Sequence, residues 1–337
     1  MLKVFKKMSV LGVALGMLSS CATNETFMPE TTEIGFNAVT GNATKAILSA
    51  GTLPTTASFD VWGFYSNDGS FAEFSDNSLS NFMSGLTIEW TSGNDESRPE
   101  AWRNKEKYYY WPTTGVIGFY ALYPSGLNGV QKPEFKGRGL QIDDYTIDIT
   151  SKYTDLMYAY TMGTNRTTAL PIQFKHALSQ IEFKVKLEEN YPDVEFYVEK
   201  IELQNVDLQA TFNYVQPSSV SIWTNNTDNQ TESLKYSDES IKLSSETQVY
   251  SSAMVMLPQQ LSKADTAETA ISILYKMVQA DGTIMDGTMV KVISTLQPSW
   301  EQSTKYVYTL NFNLNEITFN PEITDWTEIS VNQIKVP

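Results

Sequence analysis

Ile181-Glu182-Phe183-Lys184-Val185-Lys186-Leu187 decides the fold class: apolar residues hold every second position and charged residues fill the gaps. Successive side chains of an extended chain point to opposite faces, so this segment has one dry face and one wet face. Just upstream, Phe174, His176 and Leu178 alternate in the same way, but the phase slips by one residue before Ile181. A bulge near Ser179 and Gln180 would absorb the slip. Downstream, a similar slip separates Val194, Phe196 and Val198 from Ile201 and Leu203.

Further out, residues 59–65, 108–111, 116–123 and 155–160 read as strands bounded by Gly, Asn, Asp and Pro clusters. Residues 271–278 and 283–296 flank Asp281-Gly282, a pair that favours a hairpin turn. Tyr306, Tyr308, Leu310, Phe312 and Leu314 form a last alternating row, followed by Ile317, Phe319, Ile323 and Trp326. No long helical period appears, and no strict internal repeat. The pattern predicts an all-β chain of antiparallel sheets packed face to face in two tandem sandwich domains. The polar break at 188–193 sets the boundary, to within roughly 15 residues, giving an N-terminal domain over 46–190 and a C-terminal one over 191–337. Residues 225–232 read as a loop inside the second.

The N-terminus has a separate meaning. Lys3, Lys6 and Lys7 precede an apolar run from Val10 to Leu18, which is the pattern of a secretory signal peptide over residues 1–20. The run is too short for a bilayer core of about 30 Å. Leu18-Ser19-Ser20-Cys21 resembles the lipobox of bacterial lipoproteins, in which the cysteine thiol takes a diacylglycerol and becomes the new N-terminus. Cys21 is the only cysteine of the 337 residues, so an intrachain disulfide is excluded. Stability then rests on burial. Residues 21–45 read as a lipidated tether carrying one short strand marked by Ile34, Phe36 and Ala38.

The formal charge is −15, and loss of the three signal lysines takes the exported chain to −18. Phosphate backbones and anionic lipid headgroups would repel it, so no nucleic-acid partner is expected. An enzyme reading has little support. His176 is the sole histidine, which excludes multi-histidine metal sites and leaves one base for any Ser-His-acid triad. Its place between Phe174 and Leu178 reads as packing. No phosphate-binding glycine loop occurs, and Asp281-Gly282 and Asp286-Gly287 read as turns. No catalytic residue, cofactor or metal is expected.

The lipobox, the segments 176–187 (HALSQIEFKVKL) and 201–213 (IELQNVDLQATFN), and the closing 306–326 (YVYTLNFNLNEITFNPEITDW) together resemble the fimbrillin family of Bacteroidales, its major and tip pilins included. The resemblance spans most of the chain. It implies two transthyretin-like β-sandwich domains, export as an outer-membrane lipoprotein, and assembly with other pilin subunits into a surface fimbrium that supports adhesion. It also implies that a surface trypsin-like protease removes the tether with its first strand, opening a groove that a neighbouring subunit fills with a strand of its own.

Lys45 is the only basic residue between Cys21 and Phe59, so the cut falls at Lys45-Ala46 and releases Ile34, Phe36 and Ala38. The alternative is a solvated loop lysine. Beyond Trp326, Ile329, Val331, Ile334 and Val336 make residues 328–337 the candidate donor strand, or else an ordinary last strand of the sandwich. Stalk, tip and lipidated-anchor roles all fit the sequence. A rival class is a monomeric surface lipoprotein that binds host or bacterial glycans, for which Trp90, Trp102, Tyr108, Tyr109, Tyr110 and Trp111 supply aromatic faces. The same residues also suit core and cross-strand packing.

Overall fold

The computed structural model describes residues 32–40, 51–68, 80–94, 98–131, 139–148, 154–215, 222–225, 232–237, 240–250, 252–262, 268–314 and 317–326. The expected signal peptide, Cys21, Lys45, Ala46 and the candidate donor residues Ile329, Val331, Ile334 and Val336 lie outside them. Every regular element among the described residues is a β-strand, as the period-2 pattern requires.

Seven strands close into a barrel where two separate sheets were expected. Going round it, Phe36–Thr40 is followed by Ala101–Arg103, Ser80–Thr91, Ser58–Ser66, Val116–Tyr123, Met157–Gly163 and Leu170–His176, which returns to the first. Closure follows from the inward rows, which are aromatic and large. Phe36, Phe59, Phe119, Phe174 and Trp102 are fully buried among Val61, Ile88 and Ile172. Their rings meet edge to face, with Phe36 5.1 Å from Phe119 and Phe59 5.1 Å from Phe174 between centroids. Such contacts add to burial the attraction of a ring edge for a ring face.

The second half of the chain builds two larger sheets. In one, Ser179–Leu187 lies between the short strands Gln248–Val249 and Met254–Met256 on one edge and Thr304–Phe312 on the other, with Ile317–Asp325 outermost. In the other, Val194–Val206 pairs with Ala270–Gln279, which pairs with Ile284–Val292. Their inner rows, Ile181, Phe183 and Val185 from the first and Phe196, Val198, Ile201 and Leu203 from the second, share one core. A further sheet crosses the two halves of the sequence, since Leu140–Thr146 pairs with Gln209–Tyr214.

Several local expectations change. The slip between Leu178 and Ile181 is a change of sheet, not a bulge. Leu170–His176 ends in the barrel, and Ser179–Leu187 starts in the next sheet. The change of partners therefore falls at Ala177-Leu178, about a dozen residues ahead of the polar break at 188–193. The second slip is a true bulge, a register shift between Val198 and Lys200 inside one strand. Residues 108–111 make only an isolated bridge from Tyr110 to Glu33. Asp281-Gly282 does turn a hairpin, closed by Gly282 N donating to Gln279 O at 2.9 Å. Asp286-Gly287 instead sits mid-strand opposite Tyr275, where an added Cβ would come within 2.4 Å of the ring. Among the described residues two pairings are parallel, that of Phe36–Thr40 with Leu170–His176 and that of Ser179–Leu187 with Thr304–Phe312.

Phe183 is fully buried and stacks on Tyr308 at 5.7 Å. Truncation by Phe183→Ala should destabilise the protein by about 3–5 kcal/mol, read as a lowered denaturant midpoint at unchanged slope.

Candidate functional site

The short strand that closes the barrel is the element on which the expected function turns. Its predicted markers Ile34, Phe36 and Ala38 all point inward and are buried, and Thr40 continues the row. Five consecutive residues of Phe36–Thr40 pair in parallel with Leu170–Phe174, whereas the other edge meets Ala101–Arg103 only at Phe36 opposite Trp102 and residues 51–53 at Val39 opposite Thr52, where Thr40 N donates to Gly51 O at 2.8 Å. Ahead of the strand the chain is tied by backbone bonds: Trp111 N donates to Thr32 O at 2.9 Å, Ile34 N to Tyr109 O at 2.7 Å and Leu170 N to Gly35 O at 2.7 Å. The Thr32 hydroxyl donates to Arg166 O.

Glu33 adds an electrostatic clamp that sequence patterning did not single out. Arg98 Nε and Nη2 donate to its two carboxylate oxygens at 2.7 and 3.1 Å, a forked pair. Arg103 Nε lies 3.4 Å from Glu33 Oε2, and its side chain is only 5% exposed against 23% for Arg98. Among the described residues neither Nε nor Nη1 of Arg103 has a hydrogen-bond acceptor in good geometry. Burial pushes the Arg103 guanidinium below its ordinary pKa; Glu33 opposes this and Arg98 adds to it. The hydrogen bond that Arg98 donates to Glu33 holds its guanidinium above its ordinary value. Gly35 lets the guanidinium close over the strand: a Cβ there would lie 3.0 Å from Ala101 Cβ and 3.3 Å from Arg103 Nε and Nη2.

The other sequence candidates fall elsewhere. Trp102 and Trp111 are core residues, and Trp90 packs on Trp102 at 5.5 Å. Tyr109 is partly buried against Phe82. Tyr108 and Tyr110 are surface residues, 59% and 51% exposed, and Arg98 lies 4.9 Å from the Tyr108 ring centre. His176 is buried, its Nδ1 2.6 Å from Asp155 Oδ2 and its ring stacked on Trp326 at 4.0 Å. Burial raises the pKa of Asp155, with His176 opposing the rise. This pair is sealed in the core, whereas a catalytic dyad needs an open side.

A cavity of about 200 Å³ on the outer face of the Ser179–Leu187 sheet is lined by Glu182, Lys184, Lys305, Glu322 and Trp326 among others. Glu182 pairs with both lysines, 3.0 Å from Lys305 and 3.6 Å from Lys184, and Glu322 and Asp325 leave the lining with one carboxylate in excess. Among the described residues no three His, Cys, Asp or Glu side chains gather as a metal site.

The sequence profile of the fimbrillin-like family matches residues 58–326. The chain belongs to the fimbrillin-like family. That family is one of structural, non-enzymatic proteins. No curated protein matches the chain. Among solved structures, a fimbrial protein from Bacteroides vulgatus superposes with a TM-score of 0.64 at 17% identity, over 88% of this chain and all of its own. A candidate cell-adhesion protein from Bacteroides uniformis gives 0.50 at 14% identity, over 87% and 99%. At these identities the likeness is one of fold.

Glu33→Ala would leave Arg103 buried without its carboxylate. The expected loss is about 3–5 kcal/mol of stability, measured by denaturant unfolding of the full chain, because an unpaired buried charge costs more than the pair contributes.

Proposed function

We propose that this fimbrillin-like chain is a structural subunit, stalk or tip, of a cell-surface fimbrium that supports adhesion. In this reading it is exported as a lipoprotein held at the outer membrane by Cys21. It is cut between Lys45 and Ala46, and it polymerises with other pilin subunits by strand exchange. The observation that carries the reading is the closure of the barrel by Phe36–Thr40. That strand has a buried inward row, a parallel partner along one edge and only two short contacts on the other, Phe36 opposite Trp102 and Val39 opposite Thr52, and it lies just before the lone basic residue between Cys21 and Phe59.

The physics suits exchange. Loss of residues up to Lys45 would uncover the backbone edge of Leu170–His176 and the apolar wall formed by Phe59, Phe119 and Phe174. An extended segment restores both by adding backbone hydrogen bonds along the edge and apolar side chains into the wall. Each large side chain so buried contributes about 1.5–3 kcal/mol. The family's fimbrial character and the fold shared with a fimbrial protein support the same reading.

The exposed pair Tyr108 and Tyr110 favours one second reading, a glycan-binding surface lipoprotein, since flat phenols over a polar rim suit sugar stacking. Oligosaccharide titration of the monomer separates the two. Saturable binding lost in Tyr108→Ala, with no polymers under any processing, would displace the pilin reading.

The main test treats the surface-exposed precursor with a trypsin-like protease. The new N-terminus should be Ala46, and detergent-resistant ladders should follow. Lys45→Ala should stay monomeric. A chain truncated after Trp326 should be cut yet fail to polymerise, and normal ladders from it would sink the donor assignment.

A further inference from the structure

Thr32-Glu33-Ile34-Gly35-Phe36-Asn37 and Thr327-Glu328-Ile329-Ser330-Val331-Asn332 share four of six residues in register. The likeness is too short to count as a domain repeat, but three of the four shared residues meet a specific partner where residues 32–37 sit. Thr32 donates its hydroxyl to Arg166 O, Glu33 clamps Arg98 and Arg103, and Ile34 fills the barrel beside Phe36. Asn37 alone points to solvent.

The two differences are also interpretable. Ser330 would replace Gly35, the residue over which Arg103 closes, and its hydroxyl would stand beside Arg103 Nε, an N–H that lacks an acceptor among the described residues. Ala101, 3.0 Å from the site of that Cβ, would have to yield by a few tenths of an ångström. Val331 is smaller than Phe36 and in that place would fill less of the space beside Phe119. One extra residue between Val331 and Ile334 would act as a bulge, which would bring Ile334 and Val336 onto the row that Ala38 and Thr40 occupy.

We infer that Arg98 and Arg103 form a carboxylate socket that selects and registers the donor strand of a second copy of this chain, with Glu328 taking the place of Glu33. This rests on the strand-exchange reading above and adds to it a residue-level register, a strand direction and an electrostatic selector. The donor runs the same way as Phe36–Thr40, hence parallel to Leu170–His176. A segment with the right apolar residues but no carboxylate two positions before the residue in Gly35's place would leave Arg103 buried and unpaired, a penalty that discriminates against wrong strands.

The register is tested with the full chain carrying Ala101→Cys and Ser330→Cys, cut by the trypsin-like protease and oxidised mildly. Position 330 is assigned diagonally beside Ala101, where a Cβ in Gly35's place lies 3.0 Å from Ala101 Cβ, so the polymers should become covalent ladders on non-reducing denaturing gels. Ile329→Cys or Val331→Cys paired with Ala101→Cys should not, because those side chains point to the other face. Ladders from 329 or 331, or crosslinked monomers in place of ladders, would overturn the assignment.

The socket is tested by Glu328→Gln. Its polymers should dissociate at least about tenfold faster than those of the parent chain, with little further effect in an Arg98→Gln background. Melting of each precursor checks that the body still folds. If parent polymers form but neither the crosslink nor the Glu328 effect appears, the socket falls and strand exchange stands. If the chain truncated after Trp326 polymerises normally, the socket and the C-terminal donor assignment both fall.

Discussion

A barrel has no free edge only while every strand has two neighbours, and here the last place is held by five residues, Phe36–Thr40. Exposed edges are sites of association, which folded proteins normally cover. This chain covers one with a strand near its N-terminus, joined by five pairings on one side and, on the other, by Phe36 opposite Trp102 and Val39 opposite Thr52. The barrel core is built against that strand: Phe36 touches both Phe59 and Phe119, and Phe59 in turn touches Phe174 and Trp102. The architecture thus concentrates its dependence on one short segment, and that is why the segment is the natural point of control.

The ion pair sharpens this dependence. Apolar burial along a strand is permissive, because many alternating sequences satisfy it. A buried guanidinium is not, since Arg103 tolerates its place only with a carboxylate close by. Glu33 therefore turns a generic groove into one with a chemical requirement. The six residues from Thr327 carry the same Thr, Glu and Ile in the same order, and on that likeness the proposed donor register rests.

Much of the fold was legible in particular residues. The alternation of Ile181, Phe183, Val185 and Leu187 named the buried face of its strand correctly, and so did that of Ile34, Phe36 and Ala38. The turn at Asp281-Gly282 was readable because a tight hairpin has few solutions. Where reading failed, two signals looked alike. A phase slip marks either a bulge or a change of sheet, and Val198-Lys200 and Ala177-Leu178 show one of each. An Asp-Gly pair marks a turn unless the glycine makes room for a facing ring, as Gly287 does for Tyr275. Within Lys107-Tyr108-Tyr109-Tyr110-Trp111 nothing local says that Trp111 enters the core while Tyr108 and Tyr110 stay outside.

By itself the sequence determined the secondary structure class, the dry face of most strands and the presence of a short strand at Ile34, Phe36 and Ala38. These follow from side-chain period and burial, which are local properties of the chain. Only the tertiary structure decided that the first strands form a closed barrel, that two of the pairings run parallel, and that Glu33 meets Arg98 and Arg103, which lie 65 and 70 residues away along the chain. Periodicity states which side chains share a face. Which face meets which, and which charges are forced together when they meet, is settled by the packing of the whole chain.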